Sequence, residues 1–235
     1  LMLRFKNSIF KGDFDDKLDA QVKDIDVFKE GCITLSSNEN FRKFLKIALN
    51  IGNTLNAGTA RGGAYGFKLA SLVAFMNTKG NKPNVTLLSY IVQQVYAQKP
   101  EWLSFTSDFD KLNDVSKLNI DNLVKDVTGL KAQVQNLKGT IDMAAKSNPQ
   151  DVGYVNCFQP FYESSWPKVS AAEIKANETK TLYVQTAKYL GEDDESLKKK
   201  TSEEFFTIFV NINQSIKKTV KDEEERKKKE AKMKK

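Results

Sequence analysis

The sequence predicts an all-α protein, namely an elongated helical bundle that contains one long helix of the coiled-coil type. Three observations lead to this fold class. The 235 residues include only five prolines, while leucine, lysine and alanine are abundant. Apolar residues recur at helical spacing along most of the chain. Over residues 120–144 they alternate by three and four positions, which is the heptad pattern of a coiled coil.

Residues 1–35 carry two helical patterns. Gly12-Asp13 separates them, and Gly31 is expected to cap the second helix at its C-terminal end. The first residues have the pattern of the middle of a helix, without a cap or an initiator methionine, so we expect a fragment of a longer polypeptide. Both helices are predicted to be packing elements. Their apolar residues are Leu3, Ile9 and Phe10 in the first and Leu18, Val22, Ile25 and Phe28 in the second.

Two further helical segments, residues 41–49 and 67–75, flank a polar turn that holds five of the twelve glycines. Ser36 and Glu39 have the spacing of a capping box, which predicts that the first of these helices begins just after them. The glycines allow positive φ or close backbone contact. They are Gly52, Gly58, Gly62, Gly63 and Gly66.

Asn53 and Asn56 lie three residues apart within this turn, and short amide side chains bond readily to nearby backbone. Ordered asparagines among glycines, between buried helices, favour a shaped surface. The alternative is a polar connection with no binding role. Composition alone leaves both open.

A helix is predicted over residues 86–97, and Pro100 is expected to end it. Trp102 and Phe105 are expected to hold the next turn in the core. The heptad helix follows over residues 109–144, with a length of about 54 Å at 1.5 Å per residue. We favour partner helices in the same chain for its seam, and a self-associating coiled coil is the alternative. The seam consists of Ile120, Leu123, Val127, Leu130, Val134, Leu137, Ile141 and Ala144.

An aromatic segment then precedes a helix over residues 168–190, and Pro160 and Pro167 are expected to kink or bound that segment. Residues 191–194 are predicted to form an exposed acidic turn. We expect the aromatic segment to be buried against the bundle.

A second capping box, Thr201 with Glu204, predicts the start of the last helix. The inward residues of this helix are Phe205, Phe206, Phe209, Ile212 and Ile216. Apolar residues almost vanish beyond it, so residues 222–235 are predicted to be a charged, Lys-rich helical tail. Such a run is either a solvated helix end or a surface for an acidic filament, nucleic acid or membrane.

The chemistry of many enzymes is excluded because the sequence contains no histidine, and therefore no Ser–His or Cys–His nucleophile pair and no histidine-bearing metal site. Cys32 and Cys157 are expected to be buried free thiols in a reducing compartment. The carboxylate pairs Asp15-Asp16 and Asp193-Asp194 are expected in solvated turns. No Gly-Lys-Ser/Thr follows the glycine turn, so no phosphate loop is predicted. We predict no enzyme, no cofactor and no metal site.

The chain has neither a signal peptide nor an apolar run near the roughly 20 residues that span a bilayer. A cytoplasmic protein is therefore the simplest prediction. The net charge of +7 is compatible with an acidic partner surface but does not identify the partner.

Several short stretches around the glycine turn form one ordered motif. They are Gly52-Asn53-Thr54-Leu55-Asn56-Ala57-Gly58, Arg61-Gly62, Gly66-Phe67-Lys68-Leu69, Asn77-Thr78-Lys79 and Thr86-Leu87-Leu88. This motif resembles the signature of the formin homology-2 domain, the actin-nucleating, barbed-end-binding module of formins. The resemblance continues to Tyr189-Leu190-Gly191 and Glu203-Glu204-Phe205-Phe206. Residues 1–221 are thus identified as the C-terminal portion of such a domain, its post and coiled-coil regions.

The resemblance implies a head-to-tail homodimer that encircles the barbed end of an actin filament, nucleates filaments and moves processively. A lasso from each copy wraps a post on the other. The post motif here is Gly52, Asn53, Asn56, Gly58, Gly62 and Gly66, whose glycines permit close backbone approach and whose asparagines hold the turn. Lys79 matches the lysine that contacts actin, and Arg61 and Lys68 are further candidates of the same kind.

Two departures from the family accompany the resemblance. Thr54 stands where many relatives carry an aromatic residue, and the sequence begins after the family's lasso, linker and most of its knob, so this fragment alone is expected to nucleate poorly. Profilin-actin is expected to bind an upstream segment. The alternative function is a helical scaffold that binds a non-actin partner through the turn from Gly52 to Gly66. Binding of nucleic acid or microtubules by the basic tail is a third possibility.

Overall fold

The computed structural model describes residues 2–60, 62–66, 68–80, 85–147 and 152–233. Within these ranges the secondary structure is helical, apart from turns and one isolated β-bridge between Lys79 and Thr86, which confirms the all-α prediction. The helices are α1 Met2–Ser37, α2 Glu39–Leu55, α3 Leu69–Asn77, α4 Leu87–Gln98, α5 Phe105–Asp108, α6 Leu112–Val115, α7 Ile120–Ser147, α8 Val152–Tyr189, α9 Asp194–Lys199 and α10 Ser202–Met233. Short 3₁₀ turns occupy Pro100–Leu103 and Phe109–Lys111.

The chain divides into two compact units. Unit 1 comprises Leu1–Lys29 and Leu118–Tyr183, and unit 2 comprises Glu30–Lys117 and Val184–Lys235. Unit 1 therefore contains the heptad helix, and unit 2 contains the glycine-rich motif.

In unit 1 the heptad seam of α7 is buried against helices of the same chain, as predicted. Leu137 and Ile141 are each 1% exposed and cluster with Tyr154 and Phe158 of α8. Ion pairs continue this contact along the helices, with Lys131 of α7 2.6 Å from Glu173 of α8. The remaining buried seam residues are Ile120, Leu123, Val127, Leu130 and Val134.

The first part of α1 packs on α8 in the same unit. The rings of Phe14 and Phe161 meet edge to face with centroids 5.3 Å apart, and Asp26 forms an ion pair with Lys175 at 2.6 Å. Because both contacts advance along α1 and α8 together, these two helices run in the same direction.

Several predicted helix boundaries are wrong. Residues 2–37 form one helix instead of two, because Gly12 and Gly31 keep helical backbone. A glycine inside a helix costs about 1 kcal/mol relative to alanine, which the ring contacts of Phe10 and Phe14 with Phe161 of α8 offset. A Cβ on Gly31 would lie 2.7 Å from a methyl carbon of Val115, so Gly31 serves close packing and not a helix end. Asp15 and Asp16 consequently lie on a helix and not in a turn.

Two further boundary predictions fail for related reasons. The heptad helix begins at Ile120, because residues 105–115 form short helical turns whose aromatic residues enter the core of unit 2. Pro160 and Pro167 lie inside the continuous helix α8 instead of bounding it. Both prolines are on the exposed side of α8, while Phe158 and Val169 are buried.

Unit 2 is built on an aromatic core in which α2, α5 and α10 meet. The ring of Phe41 lies 5.3 Å from Phe105, 4.9 Å from Phe109 and 6.1 Å from Phe209. The predicted capping box of α10 is confirmed, since the Thr201 amide donates to the Glu204 carboxylate at 2.9 Å. The inward residues predicted for α10 are all buried.

The N-cap of α2 and the state of one cysteine differ from prediction. Asn38, not Ser36, caps α2, because the Phe41 amide donates to its side chain at 2.9 Å. The Ser36 hydroxyl instead donates to the Cys32 carbonyl inside α1.

Cys32 is buried, and this burial raises the pKa of its thiol to about 12. Cys157 is exposed, contrary to the expectation of two buried thiols.

Neither a membrane span nor a metal site is found in the described part of the chain. No helix there is long and apolar enough to cross a bilayer. No cluster of three or more cysteine, aspartate or glutamate side chains in those residues could hold a metal ion.

Candidate protein-binding groove

The glycine motif is shared between a helix and a turn. The sequence predicts that Gly52 and Asn53 lie in the turn. This prediction is wrong, because helix α2 extends to Leu55 and includes both residues. Asn56 is the C-cap, and its amide donates to the Gly52 carbonyl at 3.0 Å. The turn proper therefore begins at Asn56.

Asn53 fixes the far side of this turn with two hydrogen bonds. Its side-chain amide donates to the Ala64 carbonyl at 2.8 Å, and its side-chain oxygen accepts from the Ala64 amide at 2.9 Å. Asn56 acts through its backbone, because its carbonyl accepts from both the amide and the hydroxyl of Thr59. The two bonds between the Asn53 side chain and the Ala64 backbone make the segment a fixed surface.

Three glycines in the turn have a physical requirement for the absence of a side chain. Gly58 and Gly63 have φ of 78° and 72°, in the left-handed region that glycine tolerates best. A Cβ on Gly62 would lie 2.6 Å from the Asn56 carbonyl oxygen, so the backbone approaches itself closely there. The compact turn therefore depends on these positions.

A groove of about 620 Å³ opens beside this turn, between α2, α3 and the start of α4. Four of the six predicted post-motif residues line it, namely Gly52, Asn53, Asn56 and Gly66, while Gly58 and Gly62 shape the turn behind it. The other lining residues are Leu49, Leu55, Ala64, Lys68, Ser71, Ala74, Phe75, Thr78 and Leu87.

The apolar floor of the groove was missed by sequence reasoning. Leu49, Leu55, Phe75 and Leu87 contribute it, and Leu55 is 64% exposed. The available signal was the continuation of helical spacing past Leu49 into the glycine motif. Gly52 favours a helix end locally, so the sequence pattern does not show that Leu55 lies on a groove.

Lys68 is engaged within the chain. Its ammonium lies 3.1 Å from the Asp193 carboxylate, which also accepts from the Ser196 amide as the N-cap of α9. The Ser196 amide and then Lys68 lower the pKa of Asp193. The sequence predicts that residues 191–194 are all exposed. This is wrong for Glu192, which is buried and whose carboxylate accepts from the Ser196 hydroxyl and the Lys200 ammonium.

Lys79 lies on the exposed strand-like segment after α3, where its backbone bridges to Thr86. Among the residues that the structure describes, none forms an ion pair or a side-chain hydrogen bond with its ammonium. Thr54 is exposed on α2, and its hydroxyl donates to the Asn50 carbonyl. Arg61, the remaining candidate, lies outside the described residues.

The two units differ in charge. Basic and acidic side chains are equal in number in unit 1, so the whole surplus of +7 belongs to unit 2, which contains the groove. An excess of positive charge attracts acidic surfaces and raises association rates. Unit 2 is therefore the part of the chain suited to an acidic partner.

Comparison with known proteins gives a consistent family assignment. The model of the Formin Homology 2 Domain family matches residues 1–217. The chain is 28% identical to Formin-F of Dictyostelium discoideum over 213 residues, which cover 91% of the chain and 17% of that protein. It is 26% identical to Formin-like protein 16 of Arabidopsis thaliana, covering 78% of the chain and 26% of that protein. It is 25% identical to Protein diaphanous homolog 3 of Homo sapiens, covering 94% of the chain and 19% of that protein. The chain thus spans about a quarter or less of these curated relatives.

Proposed function

The chain belongs to the Formin Homology 2 Domain family, and we propose that it is an actin-binding part of a formin. In this proposal the complete domain acts as a head-to-tail dimer that nucleates filaments and follows the growing barbed end in the cytoplasm. The observation that carries the proposal is the convergence of the motif residues Gly52, Asn53, Asn56 and Gly66 on one groove. The mechanism is templating, in which contacts exchange and no covalent bond changes.

The groove is suited to an extended segment with apolar anchors, and the proposed occupant is the lasso of a second copy of the complete domain. An apolar floor with a few placed polar groups is typical of a binding cleft. Asn53 uses its side chain to hold the wall at Ala64, so the groove is formed before the partner arrives. A preformed groove lowers the ordering cost of association.

Lys79 is the proposed actin contact. It is exposed, and among the described residues no acidic side chain neutralises it. Lys68 is a poorer candidate than the sequence indicated, because its ion pair with Asp193 would have to be exchanged for a contact with actin. An ammonium that is not already ion-paired attracts an acidic patch more strongly than a paired one does.

The test is binding to actin filaments and elongation of pyrene-labelled actin from filament seeds. Lys79→Asp should weaken filament binding about tenfold or more, because attraction becomes repulsion at a direct contact. Lys125→Asp is the matched control, since Lys125 is an exposed lysine on α7 of unit 1. It makes the same change of charge in the other unit, and it should leave binding unchanged.

Equal effects of Lys79→Asp and Lys125→Asp would contradict the role of Lys79, because only total charge would then matter. The test uses the chain extended upstream by the lasso and knob, and a folded dimer of it that neither binds filaments nor alters elongation would favour the alternative function. In that case the groove serves a helical scaffold that binds a non-actin partner.

A further inference from the structure

A second groove of about 470 Å³ lies along α2, on the side away from the glycine motif. At 100° per residue, Ile47 and Ile51 lie on one side of the buried stripe of α2, while Gly52 and Asn53 lie on the other. The second groove shares no lining residue with the first. It is therefore a separate surface of unit 2.

The walls of this groove are apolar and accessible. Ile47 and Ile51 of α2 face Tyr90 of α4, which is 46% exposed, and Trp102 is half-buried at one end. Exposed aromatic side chains around a pocket are the residues that most often dominate protein–protein binding energy. Such a surface is suited to apolar anchors from a partner.

The dimensions match a short helix. On α4 the lining residues extend from Tyr90 to Gln98, which is about 12 Å at 1.5 Å per residue. That length accommodates roughly two turns of a helix lying between α2 and α4, the geometry in which an amphipathic helix places its apolar face in a groove. Gln94 and Gln98 offer side-chain amides along the rim.

The rim carries positive charge. Lys99 lines the groove, and the ammonium of Lys43 lies 5.8 Å from the centre of the Trp102 ring. Glu101 is the acidic neighbour in this part of the chain, and the surplus charge of unit 2 is positive. We propose that this groove binds an acidic amphipathic helix of a partner protein, whose apolar side chains contact Ile51 and Trp102 and whose carboxylates pair with Lys43 and Lys99.

Fluorescence of Trp102 provides the test. With Trp166→Phe, the chain retains Trp102 as its single tryptophan. The probe is a synthetic helical peptide of about two to four turns with leucines at i, i+4 spacing and glutamates on the flanks. Its controls are a scrambled peptide and a version with lysine in place of glutamate.

The acidic peptide should shift the emission of Trp102 and bind at least tenfold more tightly than either control peptide. Ile51→Glu and Lys99→Glu should each weaken it about tenfold, while Lys99→Arg should retain it. Ile174→Glu, at a residue 60% exposed on α8 in unit 1, is the matched control and should have no effect. Circular dichroism confirms that each variant is folded.

Two results would overturn the proposal. Equal binding of the acidic and lysine peptides, or acidic-peptide binding that survives Ile51→Glu, would show that the groove does not select this ligand. Concentration-dependent dimerisation that Ile51→Glu abolishes, seen by sedimentation equilibrium without peptide, would assign the groove to a second copy of the chain instead.

Discussion

At the scale of single residues, Asn53 shows how one side chain turns a glycine-rich segment into a binding surface. Its two hydrogen bonds to Ala64 join the end of α2 to the far side of the glycine turn. Glycines lose more backbone entropy on ordering than other residues. The amide of Asn53 offsets part of that cost and holds Ala64 in the groove lining.

We predict that Asn53→Ala loosens the turn and lowers the free energy of unfolding by about 1 kcal/mol. The net contribution of an intramolecular hydrogen bond to stability is of about that size. The change is measured by urea unfolding and by hydrogen exchange at the Ala64 amide, which should exchange faster. Asn50→Ala is the control, because Asn50 is exposed on the same helix. Unchanged exchange at Ala64 in the Asn53 variant would contradict this role.

Residue-scale features divide into those that sequence could predict and those that it could not. The Thr201–Glu204 box is local, and spacing sufficed to predict it. The choice of Asn38 as N-cap was not predictable, because its side chain also donates to Asp108, a residue remote in sequence. The partner of Lys68 is likewise distant in the chain, so composition could not show that this candidate was engaged.

At the scale of elements, the heptad seam of α7 was the most predictable feature. Burial of apolar side chains at three- and four-residue spacing needs no knowledge of the partner, so periodicity identified every buried position from Ile120 to Ile141. Helix ends were less predictable. Gly12, Pro160 and Pro167 all favour a break locally, yet each lies in a helix whose neighbouring residues are buried by tertiary packing.

We predict that Leu137→Ala lowers the free energy of unfolding by about 2–4 kcal/mol, because it leaves a cavity in a closely packed cluster. Leu137 is 1% exposed. Met143→Ala is the control on the same helix, with the native side chain 61% exposed, and should change stability by less than about 0.5 kcal/mol. Thermal and urea unfolding measure both variants. Similar losses for the two would mean that the seam is not the buried face.

At the scale of the whole molecule, charge is distributed unevenly even within unit 2. Residues 228–235 contain five lysines and one glutamate, so more than half of the net charge of +7 lies in the last eight residues. The last described contacts of this tail with the rest of unit 2 precede them. The Lys227 ammonium lies 4.4 Å from the centre of the Tyr96 ring, and Glu223 accepts from Gln93 at 2.8 Å. A chain ended after Lys227 should therefore stay folded.

This distribution separates a contact at Lys79 from attraction by total charge. Ending the chain after Lys227 removes more charge than Lys79→Asp does, but the Debye length is about 8 Å at physiological salt, so charges remote from an interface are screened. We predict that Lys79→Asp weakens binding to actin filaments more than the truncation does. Binding to heparin should show the opposite order, because a flexible polyanion follows the density of lysines. Both are measured by titration at fixed ionic strength. If the truncation has the larger effect on filaments as well, actin binding would be assigned to the basic tail, and Lys79 would be an ordinary solvated lysine.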